Sequence, residues 1–272
     1  MILSSGPIHE GVASPLWLAA AAVLAYIAAA WPGGQRAAWS AAALVVGWVL
    51  HLGVLLLDIG GWGQTAQGAR LGFAPVLSMT VWLVLAVHTI ESRFVPLPTV
   101  RRVLAMTGAA AVALAWSFPG EIRPVASAWA PLHFVLGVAS YGLFGAAVLH
   151  AALLGTAERR LRLRPGTNSP DPGGMPLLQL ERLTFRFVEA GFAVLTATLL
   201  LGMLTRDHWQ WDHKTVFSLL SWAVFASLLL GRRLHGWRGQ RATRWLYAGA
   251  ALLLLSYVGS RFVIEVLLQR ST

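Results

Sequence analysis

Eight stretches of mostly apolar residues, each close to the length that crosses a lipid bilayer, restrict the fold of this chain more than any other feature. A bilayer core is about 30 Å thick, and a helix of about 20 apolar residues spans it. Backbone polar groups find no water in lipid, so such segments fold as helices. We therefore predict an all-α, polytopic transmembrane bundle that forms a single domain over residues 1–272. The predicted spans are residues 15–31, 37–57, 72–92, 100–118, 129–154, 184–205, 215–231 and 243–268.

The composition agrees with a membrane protein and excludes several other classes. Hydrophobic residues make up 57% of the chain and charged residues only 12%, against about 25% charged residues in a typical soluble domain. The absence of cysteine excludes disulfides, zinc–thiolate sites and iron–sulfur ligation. The net charge of +10 does not indicate nucleic-acid binding, because the arginines cluster between the apolar stretches.

The distribution of arginine and lysine predicts the orientation of the bundle. If the amino terminus lies outside, the inner segments carry fifteen of these residues and the outer segments carry five. Because positive residues are enriched on the cytoplasmic side, both termini are predicted to lie outside. The long connection 155–183 then lies inside. Its basic run followed by a segment rich in proline and glycine predicts a short interfacial helix and then a solvated loop.

Two histidines near the predicted outer side are candidate haem ligands. His51 lies in the outer half of the second span, and His133 lies at the outer start of the fifth. A neutral imidazole is a good axial ligand for haem iron. If the two spans are neighbours, these side chains can face each other across a porphyrin. The alternative is that each histidine only forms a hydrogen bond to a neighbouring helix.

A tryptophan-rich outer segment between the sixth and seventh spans is the second candidate feature. The side chains of this segment that can contact a porphyrin are Trp209, Trp211, Asp212, His213 and Lys214. Trp129, four residues before His133, is a further candidate for such a contact. Indole rings can stack on a flat macrocycle, although tryptophan is also enriched at membrane interfaces generally. Asp212 can instead cap the seventh span. Lys214, the only lysine of the chain, can pair with a propionate or with Asp212.

The second half of the chain also contains longer segments that resemble a known family. They include Ser127-Ala-Trp-Ala-Pro-Leu-His133-Phe with Ser140-Tyr141, and Trp209-Gln-Trp-Asp-His-Lys-Thr215. This pattern resembles the CcsA/CcmC/HemX superfamily of cytochrome c assembly proteins, and it is most similar to the YpjD/HemX-like branch of inner-membrane proteins. The resemblance covers residues 127–260 well and residues 70–90 loosely.

The resemblance implies a multi-pass protein of the bacterial inner membrane that carries or presents haem, expected to be haem b, at an outer tryptophan-rich site. It implies that His133 is an axial ligand, that His51 has a role within the membrane, and that a cytochrome c maturation protein is a partner. It implies no catalytic residues, so we do not expect an enzyme. Full haem lyase subunits carry a second outer histidine where this chain has Gly259-Ser-Arg261-Phe. The second ligand therefore remains open between His51, His213 and none.

Two other functions compete with haem binding. The first is a non-enzymatic accessory or regulatory membrane protein that acts through protein contacts and can lack haem. The basic inner loop and the missing second histidine favour it. The second is a transporter with a histidine relay, which is the weakest hypothesis because the sequence shows no inverted repeat.

Overall fold

The structure is a computed structural model that describes residues 16–32, 38–60, 69–92, 98–123, 128–163, 177–205 and 211–268. The elements in chain order are α1 (Leu16–Ala30), α2 (Ala38–Gly60), β1 (Ala69–Leu71), α3 (Phe73–Glu91), α4 (Pro98–Ser117), β2 (Glu121–Arg123), α5 (Ala130–Leu163), α6 (Leu177–Leu204), α7 (His213–His235) and α8 (Gly239–Leu254). Beyond Leu254 the last helix continues to Leu267 and widens into π-helical turns at Leu255–Gly259 and Val263–Leu267.

The predicted all-α, polytopic bundle is confirmed. Each predicted span coincides with one helix, and among the described residues six helices are long and apolar enough to cross a membrane. Helix α1 is apolar but shorter, with 15 residues. Helix α5 runs on to Leu163 and α6 begins at Leu177, so both ends of the predicted loop 155–183 are helical. The number of spans, the single domain and the outward orientation of the termini stay predictions.

Among the described residues the helices pack around two main hydrophobic cores, and a small third cluster contains Leu154 and Leu180. The first lies among α1, α2, α3 and α4 and surrounds the fully buried ring of Tyr26. The second lies among α5, α6, α7 and α8 and surrounds Phe144 and Phe225. Helix α3 also packs on α5, which joins the two halves. The short antiparallel pair β1–β2 links the segment before α3 to the segment after α4.

The second core depends on close contact between α7 and α8. Phe225 stacks on Phe144 with ring centroids 3.8 Å apart, and a Cβ atom at Gly249 would lie 2.7 Å from Cε1 of Phe225. The stack leaves the Phe225 ring little space to move. Gly249 is therefore required where the backbone of α8 meets this aromatic pair.

We expect Gly249→Ala to lower the stability of the protein by about 1–3 kcal/mol, the usual cost of overpacking a core. Gly155→Ala is the matched control, because a Cβ atom at Gly155 meets nothing within 4 Å. The measurement is the unfolding midpoint of each variant in mild detergent. Equal midpoints for the two variants would contradict the close packing at Gly249.

Candidate functional site

One end of the C-terminal half contains a cavity of about 300 Å³. Its walls come from α5, α6, α7 and the wide turn of the last helix, with one residue from α3. The lining residues with polar side chains are His133, Ser140, Tyr141, Thr198, Lys214, Thr215, Ser218, Ser256 and Tyr257. The apolar part of the wall includes Phe134, Val138, Leu195, Leu199 and Leu253. This volume lies at the lower end of the range for small-molecule sites.

His133 lies at the start of α5, where its imidazole faces Gly202 of α6. A Cβ atom at Gly202 would lie 3.0 Å from Cε1 of His133, so the glycine makes room for the ring. The ring atom Nδ1 is buried, while the residue as a whole is half-buried. His133 is the only histidine among the described residues that line the cavity. The cavity therefore offers one imidazole to a metal centre.

Helix α7 begins at the same end of the bundle and brings Lys214 to the cavity. The carboxylate of Asp212 accepts a hydrogen bond from the backbone N–H of Thr215 at 2.8 Å, which confirms the predicted helix cap. The Nζ atom of Lys214 lies 5.5 Å from the ring centroid of Tyr257, within range of a cation–π interaction. The guanidinium of buried Arg261 lies 5.9 Å from the same ring. Lys214 thus brings one positive charge to the cavity wall, and Arg261 lies near it on the same tyrosine ring without being among the described lining residues.

The hydroxyl groups of the wall are mostly held by backbone carbonyls. The Tyr141 hydroxyl donates to the carbonyl of Leu253 at 2.5 Å and lies 2.9 Å from Oγ of Ser256. Ser140 and Thr198 donate to carbonyls of their own helices. The two contacts of Tyr141 anchor α5 to the last helix where its π-helical turn begins. Such turns are frequent at functional sites. His133 and Lys214 are the described lining side chains that can carry a positive charge, and His133, Tyr141 and Tyr257 are those with a group that can bind iron.

The structure places His51 in the other core, where it does not line the cavity around His133. Its Nδ1 atom lies 3.1 Å from the hydroxyl of Tyr26, and its Nε2 atom lies 2.7 Å from Oγ of Ser78. Both ring nitrogens are thus engaged, and the residue is fully buried. The predicted approach of His51 and His133 across one pocket is not found, because helix packing turns His51 toward α1 and α3.

The remaining predicted residues lie at or near the same end as the cavity. Trp129 directly precedes α5, and Trp211 lies just before α7; they are 56% and 73% exposed, so both have surface free for a ligand. His213 is exposed at the first position of α7. None of these three is among the described residues that line the cavity. Trp209 lies outside the residues that the structure describes.

Sequence reasoning did not assign Tyr141, Thr198, Ser218 or Ser256 to the site. Each of them is a polar residue within an apolar span. Polar side chains in spans usually face the interior of a bundle. That signal identifies candidates, although it cannot show which of them share one cavity.

The residues present fit a haem group in their chemistry. An imidazole can ligate the iron, a lysine can pair with a propionate, and leucine, valine and phenylalanine side chains can contact the macrocycle. Among the described residues no three His, Asp or Glu side chains are grouped to hold a bare metal ion. One imidazole is enough to hold haem iron on one face, because the porphyrin supplies four of its ligands.

Comparisons with known proteins show which family this chain is similar to. A sequence model of the family described as "Cytochrome C assembly protein" matches residues 71–268. The chain is 32% identical over 140 residues to the inner membrane protein YpjD of Escherichia coli (strain K12), covering 50% of this chain and 52% of that protein. The aligned part thus spans about half the length of YpjD.

Two further relatives match more of the chain. The cytochrome c biogenesis protein CcsA of Synechococcus sp. (strain CC9902) is 24% identical over 231 residues, covering 73% of this chain and 76% of that protein. An uncharacterized 28.8 kDa protein of Azospirillum brasilense is 29% identical over 243 residues, covering 86% of this chain and 88% of that protein. No solved structure matches significantly. The family match covers both the cavity and the helices that build it, so the chain belongs to the cytochrome c assembly protein family.

Proposed function

We propose that this protein binds haem in the bacterial inner membrane and carries or presents it for cytochrome c assembly, without catalysing a reaction of its own. The observation that carries the proposal is the cavity in which His133 and Lys214 meet. Family membership and the similarity to proteins named CcsA support it. We expect haem b, because the chain has no cysteine that could form a thioether bond to a haem vinyl group.

His133 would hold the iron, and Gly202 would leave its imidazole ring room in the cavity. Bound haem would supply an iron centre that can be oxidised or reduced. Lys214 would pair with a propionate, and the apolar walls would exclude water from the ring. Trp129 and Trp211 would cover the part of the ring that extends beyond the cavity, which their exposure permits.

For a second ligand to the iron, the sequence left His51, His213 and no ligand open. His51 is unsuited, because both of its nitrogens already have hydrogen-bonding partners in another core. His213 is exposed and directly precedes Lys214, which lines the cavity. We therefore propose His213, or a histidine of a partner protein, for that position.

The direct test is haem uptake by the purified full chain in mild detergent. We expect about one haem per chain by pyridine haemochrome assay, with an absorption spectrum typical of histidine ligation. A protein that is colourless as isolated and takes up no added haem would contradict the proposal. It would favour the accessory role through protein contacts.

A further inference from the structure

A second cavity lies at the opposite end of the C-terminal half, where α6 begins, α7 ends and α8 begins. It measures about 360 Å³. Its described lining residues are Leu178, Glu181, Arg182, Arg232, Gly236 and Arg238. The proposed haem site uses none of them. Three arginines face one glutamate here, so the lining carries an excess of two positive charges.

Arg232 is held in one orientation. Its guanidinium carbon lies 3.3 Å from the ring centroid of Phe185, so the planar group stacks on the aromatic face. The Nη1 atom is buried and has no hydrogen-bond partner among the described residues. A buried donor without an acceptor costs free energy. The rest of the Arg232 side chain lines the cavity, where its positive charge can act on an anion.

The turn after α7 brings Arg238 to the same cavity. Gly236 adopts a left-handed conformation with φ of 63°, which ends α7 and reverses the chain. Arg238 then donates from Nε and Nη2 to the two carboxylate oxygens of Glu181, at 2.8 and 2.6 Å. Both oxygens of Glu181 are thereby engaged by one arginine. Arg182 is the lining arginine that these bonds leave available to a ligand, whereas Arg232 also lies within electrostatic reach of Glu181 and Glu189.

A third cavity, also of about 360 Å³, adjoins this arginine-lined cavity. It shares Leu178 and Arg182 with the arginine-lined cavity, and it is also lined by Gln179, Leu183 and Arg186. Leu178 is 68% exposed, so an apolar surface lies beside the arginines. Guanidinium groups recognise phosphate oxygens, and exposed leucines at the end of a membrane span suit an acyl chain.

We propose that the cavity lined by Arg182, Arg232 and Arg238 binds the phosphate headgroup of an anionic phospholipid. The three guanidinium groups of the lining and their excess of positive charge select a phosphate group. Leu178 and its location at the end of α6 select a lipid over free phosphate. Anionic lipid bound there would tie α6 to the turn between α7 and α8.

The test is native mass spectrometry of the full chain in detergent with added phosphatidylglycerol, or with phosphatidylcholine of the same acyl chains. We expect phosphatidylglycerol to bind at least about fivefold more than phosphatidylcholine. Arg182→Gln and Arg232→Gln should each lower the binding of phosphatidylglycerol about fivefold. Arg233→Gln is the matched control, because this neighbouring arginine is exposed and is not among the residues that line the cavity.

Arg182 is exposed, so its replacement tests binding with little effect on folding. Equal binding of the two lipids would overturn the proposal, as would unchanged binding in both Arg182→Gln and Arg232→Gln. A competition with inorganic phosphate separates the two sources of the anion. If free phosphate displaces the lipid and raises the unfolding temperature as much as phosphatidylglycerol does, the site is a phosphate site and the lipid assignment is wrong.

Discussion

Replacing His133 by alanine is expected to lower the haem content of the purified protein at least about tenfold. Loss of groups that only orient a metal ligand already costs about 10-fold to 100-fold in affinity, so loss of the ligand itself should cost no less. Alanine also removes the ring that faces Gly202, which widens the cavity. The measurement is a haem titration followed by absorption, with wild type and variant compared at equal protein concentration.

The informative control for His133 is His51→Gln. Glutamine can still accept or donate hydrogen bonds, so the contacts of residue 51 to Tyr26 and Ser78 are partly preserved. We expect this variant to retain haem at the wild-type ratio, because residue 51 lies in the other core. Loss of haem from a folded His51→Gln protein, with retention in His133→Ala, would refute the assignment of the site.

A second large effect is expected at Tyr26, the centre of the first core. Its ring is fully buried between α2 and α4, where Cβ atoms at Gly47 and Gly108 would lie 2.9 and 3.0 Å from it. Its hydroxyl contacts His51, which in turn contacts Ser78. One side chain of α1 therefore touches α2 and α4 directly and reaches α3 through a hydrogen-bonded histidine.

Tyr26→Ala should destabilise the fold by about 3–5 kcal/mol, because it leaves a large cavity among four helices. Tyr26→Phe keeps the ring but removes a partner of the buried His51, so a cost of about 1–3 kcal/mol is expected. Tyr247→Ala is the matched control, since Tyr247 is 40% exposed. The measurement is the unfolding midpoint of each variant in detergent, which tests the expected order of their stabilities. A Tyr26→Ala protein as stable as Tyr247→Ala would show that Tyr26 does not organise this core.

The two tests also separate the two halves of the molecule. If Tyr26→Phe remains folded, we expect it to bind haem as the wild type does, because the proposed site is built from α5, α6, α7 and the last helix, with one residue from α3. The His133→Ala variant should in turn keep an unfolding midpoint close to that of the haem-free wild type. This pattern would place haem binding in the C-terminal half and show that it does not depend on the contacts of Tyr26 in the first core.

The helices could be predicted from the sequence because their signal is local. A run of about 20 apolar residues specifies a span whatever its neighbours are. The cap at Asp212 was also predictable, since its partner is Thr215, only three residues away. His133 was selected as a candidate because it lies at the predicted outer start of a span and because its segment resembles the family, and the structure places it on the cavity wall. A short helix was predicted at the start of the connection 155–183, where α5 continues to Leu163. The helical start of α6 at Leu177 was not predicted, because polar helical turns outside the bilayer carry no apolar signal.

The pairing of side chains between helices could not be predicted in this way. Position along a span specifies how deep a residue lies in the membrane, and on this basis His51 and His133 were expected to meet. The direction in which a residue faces depends on how its helix is rotated against its neighbours, and that rotation is decided by packing. In this protein Tyr26 packs against Gly47 and Gly108, and His51 points toward Ser78.

The arginines around the cavity where α6 begins and α7 ends show the same difference between what the sequence predicts and what packing decides. From the sequence alone they only predicted which side of the membrane each loop occupies. The fold brings Arg238 onto Glu181, 57 residues away in the chain, and places Arg232 against Phe185. The sequence by itself thus determined that this chain is a helical membrane protein and where each candidate lies along its span. Only the tertiary structure decided which candidates share a cavity, because that depends on contacts between helices distant in sequence.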